Sequence, residues 1–261
     1  MRLPTFAAQD DPGPNFVALL QAAGLAPPLP DSATNDLSIT HATTVVAIRC
    51  ANGVVMAGDR RATAGHLISH SSIEKVFPAD RHSGIAIAGA AGPAMEMVRL
   101  FQLQLEHYEK VECRPLSLEG QANQLSIMVR NNLPAALQGF AVVPLFAGYD
   151  TASEVGRLFQ YDVTGGRYEE REHAAMGSGS LHAGTVIKLG YRPDATPDEM
   201  IDLAVSALYR TAEEDTATGG PDLVRGIFPV VAVVGPEGFE RVDDTDVERR
   251  FRDLLASMDN S

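Results

Sequence analysis

The stretch His41 to Arg61, HATTVVAIRCANGVVMAGDRR, constrains this chain more than any other. It opens on paired threonines. Thr44, Val45, Val46 and Ile48 are β-branched and suit a pleated, half-buried strand. Asn52-Gly53 follows, and both residues tolerate φ > 0, so a hairpin is predicted with its turn there. Val54 to Ala57 is apolar again, and Gly58-Asp59-Arg60-Arg61 ends the run with charge. Read alone, Asp59 caps a turn at a strand end.

The spacing around Asp59 adds a second reading. Asp59 lies sixteen positions after Thr43, and Lys75 lies sixteen after Asp59. Lys75 falls inside Ser72-Ile73-Glu74-Lys75-Val76-Phe77, read as a strand. An inward lysine is costly to bury without a carboxylate partner, and Asp59 is the candidate. Such a pair would leave an ammonium near the start of the first strand, where Thr43 lies. If Thr43 were a chain terminus, its α-amino group would titrate near ~7.7–8. A neighbouring cation favours the neutral amine, which can accept a proton. A threonine hydroxyl beside its own amine is a nucleophile and base in one residue.

Five segments in order, TTVVAIRCANGVVMAGDRRAT, SSIEKVF, GIAIAGAAG, AAMGSGSLHA and EEDTATGGPDLVRGIFP, resemble the catalytic β subunits of bacterial 20S proteasomes of the actinobacterial kind. The resemblance runs from Thr43 to Pro236. It implies that Thr43 is a nucleophile uncovered when a propeptide, residues 1–42, is cut away, leaving 43–261 as the peptidase domain. It implies that Asp59 and Lys75 are the family's acid and lysine, and that the Gly89 N–H forms the oxyanion hole. Ser178 matches the serine beside the threonine amine. Asp215 and Thr218 match the residues that order that amine. Thr63 and Ala91 match backbone positions that pair with an extended substrate. Ala62, Ile73, Ile87 and Ala91 are expected to set the depth of the specificity pocket, favouring cleavage after medium or large apolar residues. The implied partners are proteasome α subunits, other copies of the chain in heptameric rings, and an ATPase ring that feeds unfolded protein. No cofactor is implied.

Two positions depart from the family pattern. Ala42 stands where glycine usually precedes the threonine, which puts the rate of self-cleavage at Ala42-Thr43 in question. Thr218 stands where serine is common and keeps the hydroxyl. Two other readings stay open: a structural ring subunit that is never processed, which Ala42 favours, and another N-terminal-nucleophile amidohydrolase acting on small substrates.

Composition narrows the classes. Acidic residues number 34 against 21 basic ones, a net charge of −13, which disfavours nucleic acid and anionic membrane as partners. No run approaches the ~18 apolar residues of a membrane span, and the early residues lack the pattern of a secretory signal. Cys50 and Cys113 are isolated and are read as small buried or half-buried thiols of a reducing cytoplasm. His66 and His70 have the spacing of a helical zinc pair, but nothing around them reads as a helix, so no metal site is expected.

Residues 1–42 are proline-rich and carry no recognised motif. Ser83 to Gly89 reads as a strand whose end, Gly89-Ala90-Ala91-Gly92, leads into a helix; N–H groups at such a start stabilise negative charge. Met95, Val98, Phe101, Leu105, Tyr108 and Val111 fall in steps of three and four, marking one helix face. Leu118 to Val129 marks a second helix, expected to continue past Pro134 with a kink. Phe140 to Tyr149 reads as a buried strand, and Arg157–Val163 with Arg167–Glu172 as a hairpin around Thr164-Gly165-Gly166. Helices are expected from Ser180 to Leu189, over Pro197–Glu214, and over Asp244–Met258, with a long strand before the last. Two antiparallel sheets with helices outside follow, an α+β fold. The resemblance implies the same four-layer αββα sandwich of the N-terminal-nucleophile hydrolase type.

Overall fold

The computed structural model describes residues 43–64 and 67–259. Residues 1–42, including Ala42, and His66 lie outside the described residues.

Strands β1 (Thr44–Cys50), β2 (Gly53–Gly58), β10 (His173–Gly177), β11 (Val230–Gly235) and β12 (Gly238–Arg241) form one sheet in the order β10-β1-β2-β11-β12. A second sheet runs β5-β6-β7-β8-β9, from β5 (Val76–Asp80) through β6 (Ser83–Gly89), β7 (Val142–Asp150) and β8 (Val155–Tyr161) to β9 (Arg167–Glu170). All of the registered pairings in both sheets are antiparallel. Between β2 and β5 a small hairpin of β3 (Ala62–Ala64) and β4 (Leu67–His70) stands apart.

The layering follows from the period of the strand. Val45 and Ala47 point one way from β1, and join Ala86, Ala88, Leu145 and Leu158 in a core between the sheets. Val46 and Ile48 point the other way and pack with Ala204, Val205 and Leu208 of a helix, α5 (Pro197–Glu214), and Ile187 of α4 (Ser180–Gly190). On the far side, Ile85, Phe146 and Phe159 pack against Val98 and Phe101 of α1 (Ala91–Glu112) and Leu125 of α2 (Leu118–Asn131). Three separate cores make four layers, the αββα sandwich expected. α6 (Asp244–Asp259) adds Val247 and Phe251 to the α4–α5 core.

Local chemistry sets the helix starts. Ser117 Oγ accepts the Gly120 N–H at 3.2 Å to cap α2. Thr196 and Glu199 form a reciprocal capping box at α5, with Pro197 in its first turn.

Several expectations need correction. The β1–β2 hairpin forms, but its turn is Ala51-Asn52, and Gly53 already pairs with Cys50. Gly53 has φ +154°, and a Cβ there would overlap the Val234 carbonyl, so glycine is required by close approach. α2 does not bend past Pro134; it ends at Asn131, and a separate turn, α3 (Leu133–Ala136), follows. Pro134 has no N–H to continue the ladder. Lys75 lies just before β5 rather than within a strand. Cys113 is exposed, the left-handed cap at the end of α1 with φ 55°. No helix among the described residues is long and apolar enough to cross a membrane.

Candidate active site

The site forms where β1 begins. Thr44 to Ile48 are fully buried, and Thr43, just ahead of the strand, is nearly so. Its carbonyl accepts the Ser178 N–H at 3.0 Å. β1 pairs with β10 on one side and β2 on the other, so the entry to β1 is fixed against Gly177 and the end of β2.

Asp59 follows β2 directly and is fully buried. Its Oδ1 accepts the Lys75 ammonium at 2.6 Å and the Thr44 N–H at 2.8 Å. Its Oδ2 accepts the N–H groups of Arg61 at 2.9 Å and Gly219 at 2.8 Å. Four donors on one carboxylate satisfy a charge that burial alone would make expensive. Lys75 Nζ donates also to the Arg61 carbonyl at 2.6 Å. Burial pushes the Lys75 pKa below its ordinary value, against the opposing pull of Asp59, and Arg61 adds to the lowering.

A second network lies on the other side of β1. Asp215 Oδ2 accepts the hydroxyls of Ser178 at 2.6 Å and Thr218 at 2.7 Å. Burial alone would raise the Asp215 pKa; these hydroxyls and the Ala217 N–H outweigh it and hold the carboxyl below its ordinary value.

A cavity of about 270 Å³ opens beside Thr43. Thr43, Lys75 and Gly89 line it, together with all five residues expected to contact substrate: Ala62, Thr63, Ile73, Ile87 and Ala91. Ser178, Asp215 and Thr218 do not line that cavity; they gather behind the threonine. Gly89 ends β6 with φ +118°, separated from α1 by Ala90 alone, and a Cβ there would overlap the Ala141 carbonyl.

Sequence reasoning missed Ser69, His70 and Ala94 in the cavity wall. Ala94 carried a signal, one turn into the helix after Gly89; the β3–β4 hairpin that brings Ser69 and His70 carried little. It also missed Thr44, whose side chain joins the Thr218 hydroxyl at 2.5 Å. Cys50 is buried in β1, and burial pushes its thiol pKa up, which suits packing and not attack. No His, Cys, Asp or Glu cluster able to hold a metal occurs among the described residues.

An αββα sandwich with a threonine at the mouth of its first strand, and on the same cavity a buried lysine paired to a carboxylate behind it, defines the class of N-terminal-nucleophile hydrolases. The comparisons narrow this. The family model for proteasome subunits matches residues 39–224. A protein of Acidimicrobium ferrooxidans named proteasome subunit beta is 56% identical over 250 residues, covering 95% of this chain and 91% of that protein. A protein of the same name from Streptomyces griseus is 56% identical over 215 residues, covering 82% of this chain and 76% of that protein. The chain belongs to the proteasome subunit family, and its activity is that of a threonine-type endopeptidase of the 20S proteasome core. The uncovered 5% of the chain is far shorter than residues 1–42, so the similarity to the Acidimicrobium protein extends well into that segment.

Proposed function

We propose that Thr43 is the nucleophile of this peptidase and that it becomes competent when the Ala42–Thr43 bond is cut. Until then the Thr43 nitrogen is a peptide nitrogen and cannot act as a base. Once it is free, Thr43 Oγ attacks the substrate carbonyl, and the Thr43 amine, through a water, takes the hydroxyl proton. The Gly89 N–H stabilises the oxyanion. Collapse of the tetrahedral intermediate forms an ester to Thr43 and expels the amine half of the substrate with the transferred proton. Water then hydrolyses the ester. Lys75, held by Asp59, keeps positive charge beside the threonine and so favours its neutral amine. Ser178, Asp215 and Thr218 orient that amine. In the uncut chain Thr43 Oγ attacks the Ala42 carbonyl with a water taking its proton, the Thr43 nitrogen leaves as the amine and picks up a proton, and water hydrolyses the resulting ester to release residues 1–42.

The observation that carries this reading is the convergence of Thr43, Lys75 and Gly89 on one cavity, with Lys75 anchored 2.6 Å from a fully buried Asp59. The apolar wall of Ala62, Ile73, Ile87 and Ala91 suits medium or large apolar side chains ahead of the scissile bond. The chain works in heptameric β rings stacked on α rings in the cytoplasm, supplied with unfolded protein by an ATPase ring. The family supports ring assembly with α subunits; the ring number, the ATPase and the compartment are inferred.

Mass spectrometry of the assembled protein tests the reading. A chain beginning at Thr43 is expected, and a Thr43→Ala variant should keep its leader and lack peptidase activity. A mature, assembled sample that still carries Ala42, or turnover by the Thr43→Ala protein, would overturn it.

A further inference from the structure

Thr44 touches both halves of the site. Its N–H donates to Asp59 Oδ1, the oxygen that also accepts the Lys75 ammonium. Its hydroxyl lies 2.5 Å from Thr218 Oγ1 and accepts the Gly179 N–H at 3.1 Å. The residue is fully buried, so water cannot replace these partners.

The proton directions follow from the acceptor at the end of the chain. An ionised Asp215 can only accept. Thr218 spends its single proton on Asp215, so its oxygen must accept from Thr44. The run is then directed from Gly179 N–H to the Thr44 hydroxyl, to the Thr218 hydroxyl and to Asp215, which Ser178 meets from the other side. Donors aligned in series polarise one another. Thr43 is bonded to the residue at the centre of this run, and its carbonyl is held by the Ser178 N–H.

We infer that Thr44 is a positioning residue for the peptidase reaction: its backbone N–H meets the Asp59–Lys75 pair, its buried hydroxyl meets the Ser178–Asp215–Thr218 network, and the residue so fixes Thr43 between them. The inference rests on Thr43 being the nucleophile. Thr44 itself touches no substrate; it acts through Thr218 and Asp59.

Thr44→Val keeps the shape of the side chain and removes the hydroxyl. In the assembled full-chain protein, kcat for a peptide substrate should fall about tenfold or more, as loss of a buried hydrogen bond allows. KM should stay within about twofold, because Thr44 does not line the cavity. Thr44→Ser restores the hydroxyl and should recover most of kcat. Thr218→Val cuts the same hydrogen bond from its other end and carries the same expectation, even if Thr44→Val fails to assemble. The double variant should lose no more than the worse single one. Wild-type kcat in Thr44→Val or in Thr218→Val, no recovery in Thr44→Ser, or additive losses in the double variant would overturn the proposal. Each of those results leaves Thr43 as nucleophile intact, since that reading fails only on Thr43→Ala or the uncut terminus.

Discussion

Lys75 Nζ lies 2.6 Å from Asp59 Oδ1 with both side chains withdrawn from water, yet the two partners are not equally provided for. Asp59 also accepts three backbone N–H groups, from Thr44, Arg61 and Gly219. Lys75 has, besides Asp59, the Arg61 carbonyl. The carboxylate is thus the junction that ties together the start of β1, the exit from β2 and the Gly219 loop, and the lysine is fastened to it.

Removing either partner should therefore abolish peptide cleavage but cost stability unequally. Asp59→Asn strands a buried ammonium, an uncompensated charge that costs about 3–5 kcal/mol. Lys75→Met leaves a carboxylate still bonded to three N–H groups, so about 1–3 kcal/mol is expected. Urea midpoints at one fixed protein concentration would check this, since assembly itself shifts them. Equal midpoints for the two variants would contradict the asymmetry.

The Asp215 carboxyl gives a pH dependence with a definite sign. Its pKa is held below the ordinary value of 3.8 in the folded chain. The stabilisation it supplies is full above that ordinary value and is lost as pH falls through the lowered one. Removing the hydroxyl donors with Ser178→Ala and Thr218→Val leaves burial as the main influence, and burial raises the pKa. The acid limb of residual kcat/KM should then move to higher pH. His182 also bears on this carboxylate and Lys75 feels it, and neither is changed in the variant. A limb that stays in place would show that Asp215 does not govern it.

Much of this architecture could be read from the sequence because burial leaves a period. Val45 to Ile48 show their strand through β-branching, and α1 shows its face through steps of three and four. Asp59 and Lys75 could be paired because neither tolerates burial alone. β3 and β4 could not be read: all four residues of β4 are exposed, so no alternation marks them. That hairpin nevertheless carries Ser69 and His70 to the cavity. Thr44 looked like any β-branched strand residue, because its partners Gly179 and Thr218 lie 135 and 174 positions away. Thr43, by contrast, was placed by resemblance and by the chemistry of a terminal threonine, not by any local pattern.

The cavity wall predicts how specificity can be changed without touching the chemistry. Ala91 is exposed at the start of α1 and faces the cavity, so a larger side chain there fills space and does not strain a core. Ala91→Leu should weaken cleavage after large apolar residues by about 10–200-fold in kcat/KM, the usual range for pocket volume. Cleavage after alanine should be little changed. A peptide series varied only at the residue before the scissile bond would measure both, and a uniform loss across the series would refute a role for Ala91 in selecting that side chain.

Gly89 offers a sharper test of the oxyanion site. Its φ of +118° is open to glycine and closed in practice to other residues, and any Cβ would press on the Ala141 carbonyl. Gly89→Ala must rotate the backbone to relieve that overlap, at a strain of about 1–3 kcal/mol. The rotation re-aims the one N–H proposed to meet the developing oxyanion. A fall of about 10²–10³ in kcat is expected, as when an oxyanion donor is lost. On the proposed self-cleavage, release of residues 1–42 passes through the same oxyanion, so the variant should also accumulate with those residues still attached. Time-resolved mass spectrometry of processing, set beside the kcat measurement, would show whether both fall together. Processing at the normal rate with kcat reduced would assign the Gly89 N–H to substrate turnover alone and separate the two reactions.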